Sequence, residues 1–138
     1  MQINFSYDTD VVWTWSGSAW SRSYAEGSGL SPDIDASTNQ QITASNVFIQ
    51  LVTNRFGPYP ESPGSTGDVE SQTRGSGPGY ILRNGTVTKV TWHRRSLINP
   101  DTFTDSSGRP VALTPGKTWV EMLLKTTAAN QGALTFTP

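Results

Sequence analysis

Residues Gly79–Arg95, GYILRNGTVTKVTWHRR, decide the fold. Two runs rich in β-branched and aromatic residues flank Asn84-Gly85. Asn-Gly is the strongest short signal for a two-residue hairpin turn, because such turns need positive φ at both central positions. The stretch therefore predicts a hairpin. Its second strand ends in Trp92, His93, Arg94 and Arg95, which hold the only histidine and the densest positive charge of the chain.

Outward from the hairpin the same alphabet continues. The chain has 138 residues, 34% hydrophobic and only 15% charged, with no cysteine. Abundant Thr, Val and Trp favour strands, and Gly and Pro punctuate them. That mix points to one antiparallel β domain and away from a helical bundle. A formal net charge of -1 gives no electrostatic reason to expect nucleic acid or an anionic membrane as partner. Lack of cysteine excludes disulfides, thiolate metal sites and a cysteine nucleophile. No apolar run approaches the roughly 20 residues of a membrane span. No signal peptide is visible, and a chain that opens inside a strand is expected to be a piece cut from something longer.

Met1–Tyr7 alternates Ile3, Phe5 and Tyr7 against Gln2, Asn4 and Ser6, the period of a half-buried strand. Val11–Ser16 and Ala19–Tyr24 read as the next two strands around Ser16-Gly17-Ser18. In the third strand Trp20, Arg22 and Tyr24 share a face, so Arg22 is placed to stack on aromatics or pin a carboxylate. The pattern breaks over Ala25–Thr43. Asn46–Thr53 (NVFIQLVT) is almost continuously apolar and reads as a central strand. Arg55–Pro78 reads as the longest irregular loop, with Val69–Thr73 a short strand inside it. Asn99–Phe103 reads as a short helical turn capped by Asn99 ahead of proline. Asp105–Arg109 reads as a turn. Val111–Leu113 and Thr118–Leu124 read as a closing hairpin. The tail, residues 125–138, is polar and weakly patterned; Ala133–Phe136 is read as an edge strand or as disordered. The expectation is an all-β domain over residues 1–124, an antiparallel β-sandwich or partly open barrel, with two long irregular loops and at most a short helical turn.

Candidate chemistry is thin. Gly116-Lys117-Thr118 is not a phosphate loop: Val111 stands where the first glycine belongs, and TWVEMLL reads as a strand. Asp33, Asp35 and Ser37 have the alternate spacing of the first ligands of a calcium loop. Thr38 replaces its glycine and Ala44 its bidentate glutamate, which favours an ordinary Asx turn. His93 has no second histidine and no G-x-S-x-G elbow beside it, so a structural role is favoured over a catalytic one. Arg22, Arg94 and Arg95 with Glu26, Asp33, Asp35 and Glu70 form either an anion site or, the favoured reading, ion pairs pinning loops to the sheet. Trp13, Trp15, Trp20, Trp92 and Trp119 read mainly as core. Several of them lining an open groove would instead favour carbohydrate or peptide binding.

Two blocks carry a family resemblance. One holds Trp20-Ser21-Arg22, the Asp35 region and Ile42–Val47. The other holds Gly75-x-Gly77, Tyr80–Gly85, Val90-Thr91-Trp92, Asp105–Arg109 and Leu113–Glu121. In this order and spacing they resemble the C-terminal domain of the DUF3048 family, YerB-like bacterial lipoproteins. The resemblance implies an exported, lipid-anchored parent with a separate N-terminal α/β domain, for which no enzymatic activity is established. It implies polar positions at Arg22, Asp35, Asn46, Glu70 and Trp92. It also implies a histidine two residues before Asp35, where this chain has Asp33.

The expected function is thus a non-catalytic extracytoplasmic binding or scaffolding module of the cell envelope, with no cofactor. Its expected partners are an envelope ligand or protein and the parent's N-terminal domain, with membrane contact only through a lipid anchor outside this chain. Arg22, Asp35, Glu70, His93 and Arg94 are the expected ligand-facing cluster, with Asn46 and Trp92 beside them. The alternative is a cell-wall hydrolase using Asp35 and Glu70 with His93.

Overall fold

The computed structural model describes residues 1–6, 9–60, 62–64, 67–124 and 133–137. The chain opens with β1 (Gln2–Ser6), β2 (Thr9–Trp15), β3 (Trp20–Glu26) and β4 (Gly29–Pro32), an antiparallel meander. The small hairpin of β5 (Ile34–Asp35) and β6 (Gln40–Gln41) follows, and β7 (Thr43–Ala44) returns to pair with β3. The segment Ala25–Thr43, expected as a loop, is therefore cut into short paired strands. Polar residues there satisfy one another across tight turns too short to show a period.

β8 (Asn46–Pro60) leads into β9 (Gly67–Gln72), β10 (Gly75–Arg83) and β11 (Thr86–Arg94), and β12 (Thr102–Thr104), β13 (Thr118–Leu124) and β14 (Ala133–Thr135) complete the order. No helix occurs among the described residues. One sheet runs β14-β1-β2-β3-β4 and the other β12-β11-β10-β8-β13, with β9 beside the far half of β8. The result is an all-β sandwich with open edges.

The hairpin forms as its sequence predicts. Arg83 faces Thr86, with Asn84 at φ 49° and Gly85 at φ 70°. β8 is central, flanked by β10 and β13. Its continuous apolar run serves two cores at once. Val47 and Ile49 join Val11, Trp13, Trp20, Leu82 and Leu123 between the sheets. Phe48 faces the other way, onto Ile81, Val90, Trp92 and Phe103. Trp92 lies over Gly77 and Gly79, where an added Cβ would stand 2.9 and 3.3 Å from its ring. Losing a buried tryptophan of this kind costs about 3–5 kcal/mol.

Three expectations are corrected. Arg55–Pro78 is not an irregular loop: β8 and β9 form a two-stranded arm there, from Thr53↔Gln72 to Pro60↔Gly67. The register shifts between Phe56 and Pro60, and Pro58 falls within that interruption, where a missing N–H costs little. Asn99–Phe103 is not a helical turn, because Phe103 extends opposite Trp92 to reach the second core. Val111–Leu113 and Thr118–Leu124 do not pair as a hairpin. β13 runs parallel to β8, Trp119 opposite Val47, while Val111 and Leu113 cover the second core.

β14 pairs with β1, Leu134 opposite Ile3, so the tail's expected edge strand forms. Residues 125–132 and the side chains of residues 2–9, on which the expected Ile3/Phe5/Tyr7 face depends, lie outside the described residues.

Candidate functional site

Arg22 bonds to three side chains and lies over two aromatic rings. It leaves β3 toward the inter-sheet space, and its Nε donates to Glu121 Oε1 at 3.0 Å. Nη1 donates to the Tyr24 hydroxyl at 3.0 Å and to Asp33. Trp13 Nε1 donates to the same Glu121 oxygen at 3.0 Å. The guanidinium carbon lies 5.1 Å from the centre of the Tyr24 ring and 5.3 Å from that of Trp119, within cation–π range. Arg22 therefore both stacks on aromatics and pins carboxylates. Its main chain joins in: Asp33 N donates to Arg22 O (3.1 Å), and Arg22 N donates to Ile42 O (2.9 Å). Burial lowers the Arg22 pKa, but the hydrogen bonds to Tyr24 and Glu121 outweigh it and leave the pKa raised. Two carboxylates on one guanidinium leave the cluster with a formal charge of about -1. It repels further anions, and its chemistry is that of a clamp holding β5–β6 and β13 to the first sheet.

Glu121 was not among the residues singled out from sequence. The signal exists: along TWVEMLL it shares the inward face with Trp119 and Leu123, a lone charge at period two.

The other expected residues lie on separate elements. Asp35 caps its own turn, accepting from the amides of Ser37 and Thr38 at 2.9 Å each and from both hydroxyls. The Ser37 hydroxyl and these amides hold its pKa at about 2. Such a carboxyl stays ionised at neutral pH and is ill suited to donate a proton. Asp33 turns to Arg22 while Asp35 turns to Ser37 and Thr38, so Asp33, Asp35 and Ser37 do not converge on a cation. Among the described residues no three of His, Cys, Asp and Glu could hold a metal together. Asn46 is fully buried and clasps Thr114: Nδ2 donates to Thr114 O at 2.8 Å, and Thr114 N donates to Oδ1 at 2.9 Å. His93 Nε2 lies 3.1 Å from Thr104 Oγ1. Arg94 donates to the carbonyls of Leu97 and Asn99 at 2.9 and 3.2 Å, closing the turn after β11. Burial raises the pKa of nearby Asp101, whose Oδ1 is buried without a hydrogen-bond partner, against the pull of Arg94.

Glu70 and Trp92 do border open space. Glu70 accepts from Arg55 Nε at 2.7 Å across the arm. A groove of about 660 Å³ at the arm's root is lined by Arg55, Glu70, Gln72, Arg74 and Leu97. A smaller cavity of about 110 Å³, between Leu51, Gln72, Arg74, Gly77 and Trp92, shares two of its walls. Arg74 is exposed and has no ion pair among the described residues. Gly75 pairs with Arg94, so Arg74 sits at the strand end that also carries Arg94 and Arg95. Further out on the arm, Phe56 and Tyr59 are 64% and 76% exposed. The sequence pointed to this end of the hairpin, but not to Arg55, Gln72 or Arg74.

Fold and site together define a two-sheet β-sandwich domain with internal ionic clamps and a projecting two-stranded arm. Residues 1–120 match the C-terminal domain of DUF3048, described as a protein of unknown function, and the chain belongs to that family. The crystal structure of the YerB protein from Bacillus subtilis is similar, with a TM-score of 0.65 at 16% sequence identity. The match covers 88% of this chain but only 40% of that one. At such identity the likeness is one of fold. No curated protein matches the sequence.

Proposed function

We propose that this domain is a non-catalytic binding or scaffolding module of a bacterial cell-envelope lipoprotein, working on the extracytoplasmic side. The observation that carries the binding role is the groove at the root of the arm. There the exposed Arg74, with no ion pair among the described residues, lines the groove together with Gln72, whose amide donates to Glu70 O at 3.2 Å. A guanidinium and an amide flanking a polar trench suit a ligand with carboxylate or amide groups. The envelope location rests on the resemblance of the sequence blocks to the lipoproteins. Asp35, Glu70 and His93, the groups a hydrolase would need, sit on three different elements, each with a local partner.

The test is titration of isotope-labelled domain with soluble peptidoglycan fragments, followed by amide NMR. Shift changes are expected at Arg55 and from Gln72 to Ser76, and should vanish in Arg74→Ala while the unfolding midpoint stays put. Absence of shifts at millimolar fragment, or shifts indifferent to Arg74→Ala, would overturn the groove. A new product mass in the same samples would turn the reading toward a hydrolase.

A further inference from the structure

Two cavities meet at the root of the arm. The groove of about 660 Å³ and the pocket of about 110 Å³ share Gln72 and Arg74 as walls. Residues 70–74 line the groove without a gap. Alternate residues of a strand point to opposite faces, so one row of side chains would supply only every second position. An unbroken run means that the groove follows the main chain of β9 and of the residues after it. β9 pairs with β8 along one edge and has no strand on its other edge among the described residues. An open edge of this kind is a template for an extended polypeptide.

The pocket has Leu51, Pro78 and Trp92 as apolar walls. Trp92 is held in place: its ring rests on Gly77, and its Nε1 donates to Leu51 O at 3.3 Å. A cavity of about 150 Å³ holds a benzene ring, so one of about 110 Å³ takes a side chain the size of alanine or valine. Arg74, the shared wall, carries a charge that no ion pair among the described residues neutralises. A cation between a main-chain groove and a small pocket matches the end of a polypeptide. There a carboxylate is joined through a single carbon to the last side chain and the last amide.

We infer that this site takes the C-terminus of an extended peptide with a small last residue, laid beside β9 as an added strand, its carboxylate on Arg74 and its last side chain against Trp92. The inference rests on the groove reading and narrows its ligand. Residues 70–74 run toward Arg74, so a peptide that ends there runs parallel to β9. Its earlier residues pass the Arg55–Glu70 pair, which lines the groove. A sugar ring lacks the row of amides that an open strand edge bonds, which makes a peptide the occupant rather than a carbohydrate. Charge complementarity sets its direction: the free carboxylate goes to the unneutralised guanidinium.

The experiment titrates the isotope-labelled chain with acetyl-Ala-Ala-Ala, its C-terminal amide and acetyl-Ala-Ala-Trp, beside the peptidoglycan fragments. The trialanine acid is expected to shift the Trp92 indole N–H and, at saturation, to slow amide exchange at alternate positions along residues 70–74. The amide should bind about tenfold or more weakly, and in Arg74→Ala acid and amide should bind alike. The tryptophan-ended peptide should leave the Trp92 indole unmoved. If the fragments shift Gln72 to Ser76 but trialanine leaves Trp92 still, this inference is overturned and the groove stands; no shift with either overturns both. An amide as strong as the acid, or exchange unchanged along residues 70–74 at saturation, also overturns the inference, by removing the carboxylate from Arg74 or the added strand from β9.

Discussion

Arg22 and Glu121 stand 99 positions apart in sequence, yet their side chains meet at 3.0 Å in the space between the two sheets. Both are nearly buried, with side-chain exposures of 11% and 8%. Arg22→Ala leaves the Glu121 and Asp33 carboxylates without their cation, at a cost of about 3–5 kcal/mol. Glu121→Ala also strips the acceptor from Trp13 Nε1. Urea unfolding should show Arg22→Ala losing that much, and Glu121→Ala, which leaves Arg22 paired with Asp33, losing about 1–3 kcal/mol for each donor left unsatisfied. The double variant should cost less than their sum by about 1–3 kcal/mol. Strict additivity would mean the two groups do not act as one clamp.

Gly85 makes a second long-range contact. An added Cβ there would lie 2.8 Å from Trp15 Nε1, and the residue holds φ at 70°. Gly108 has a similar φ of 81° with open space around it. Gly108→Ala should therefore cost only the left-handed strain, about 1–2 kcal/mol. Gly85→Ala should cost that plus about 1–3 kcal/mol of overpacking against Trp15. Thermal unfolding of the two variants side by side checks the difference, and equal losses would remove the turn from its seat on Trp15.

What the sequence made legible follows from the range of its signals. The turn at Asn84-Gly85 and the two-faced burial of β8 are local facts, written in residue type and period. Arg22 among Trp20 and Tyr24 was legible as a clamp for the same reason. The partner Glu121 was not, because alternation places a side chain on a face without saying what faces it. Direction escapes alternation too: TWVEMLL alternates equally well as an antiparallel or a parallel strand, and only the whole sheet sets it beside β8. The arm was hidden by Pro58, Pro60 and the glycines around them, which argue against a central strand but not against a two-stranded projection. The groove at its root was hidden with it, because Arg55 and Arg74 approach one another only once β8 and β9 pair.

Asn46 fastens the segment that covers the second core at Thr114. It both donates to and accepts from the backbone of Thr114, and donates to Thr118 Oγ1 at 3.1 Å. Asn46→Ala leaves the Thr114 N–H and C=O without these partners, which costs about 2–4 kcal/mol for the two groups. The loss should localise: amide exchange at Thr114 and Val111 should rise more than exchange at Ile81 in the same variant. Uniform acceleration would mean that the covering segment and the sheet open together.

Asp35 sets an acid-dependent term in stability. Its pKa falls from an ordinary 3.8 to about 2 because the folded turn supplies donors that the unfolded chain lacks. The folded state thus binds a proton less readily than the unfolded one. The stabilisation is complete above about pH 4 and is lost as pH falls toward 2. Asp35→Asn keeps an oxygen acceptor for the Ser37 and Thr38 amides but has no proton to bind. Between pH 4 and 2 its melting temperature should fall less steeply than that of the parent chain, while above pH 5 the two curves should run parallel. A carboxyl NMR titration of Asp35 with a midpoint near 4 would show that the turn does not hold the charged form, and the two acid limbs would then coincide.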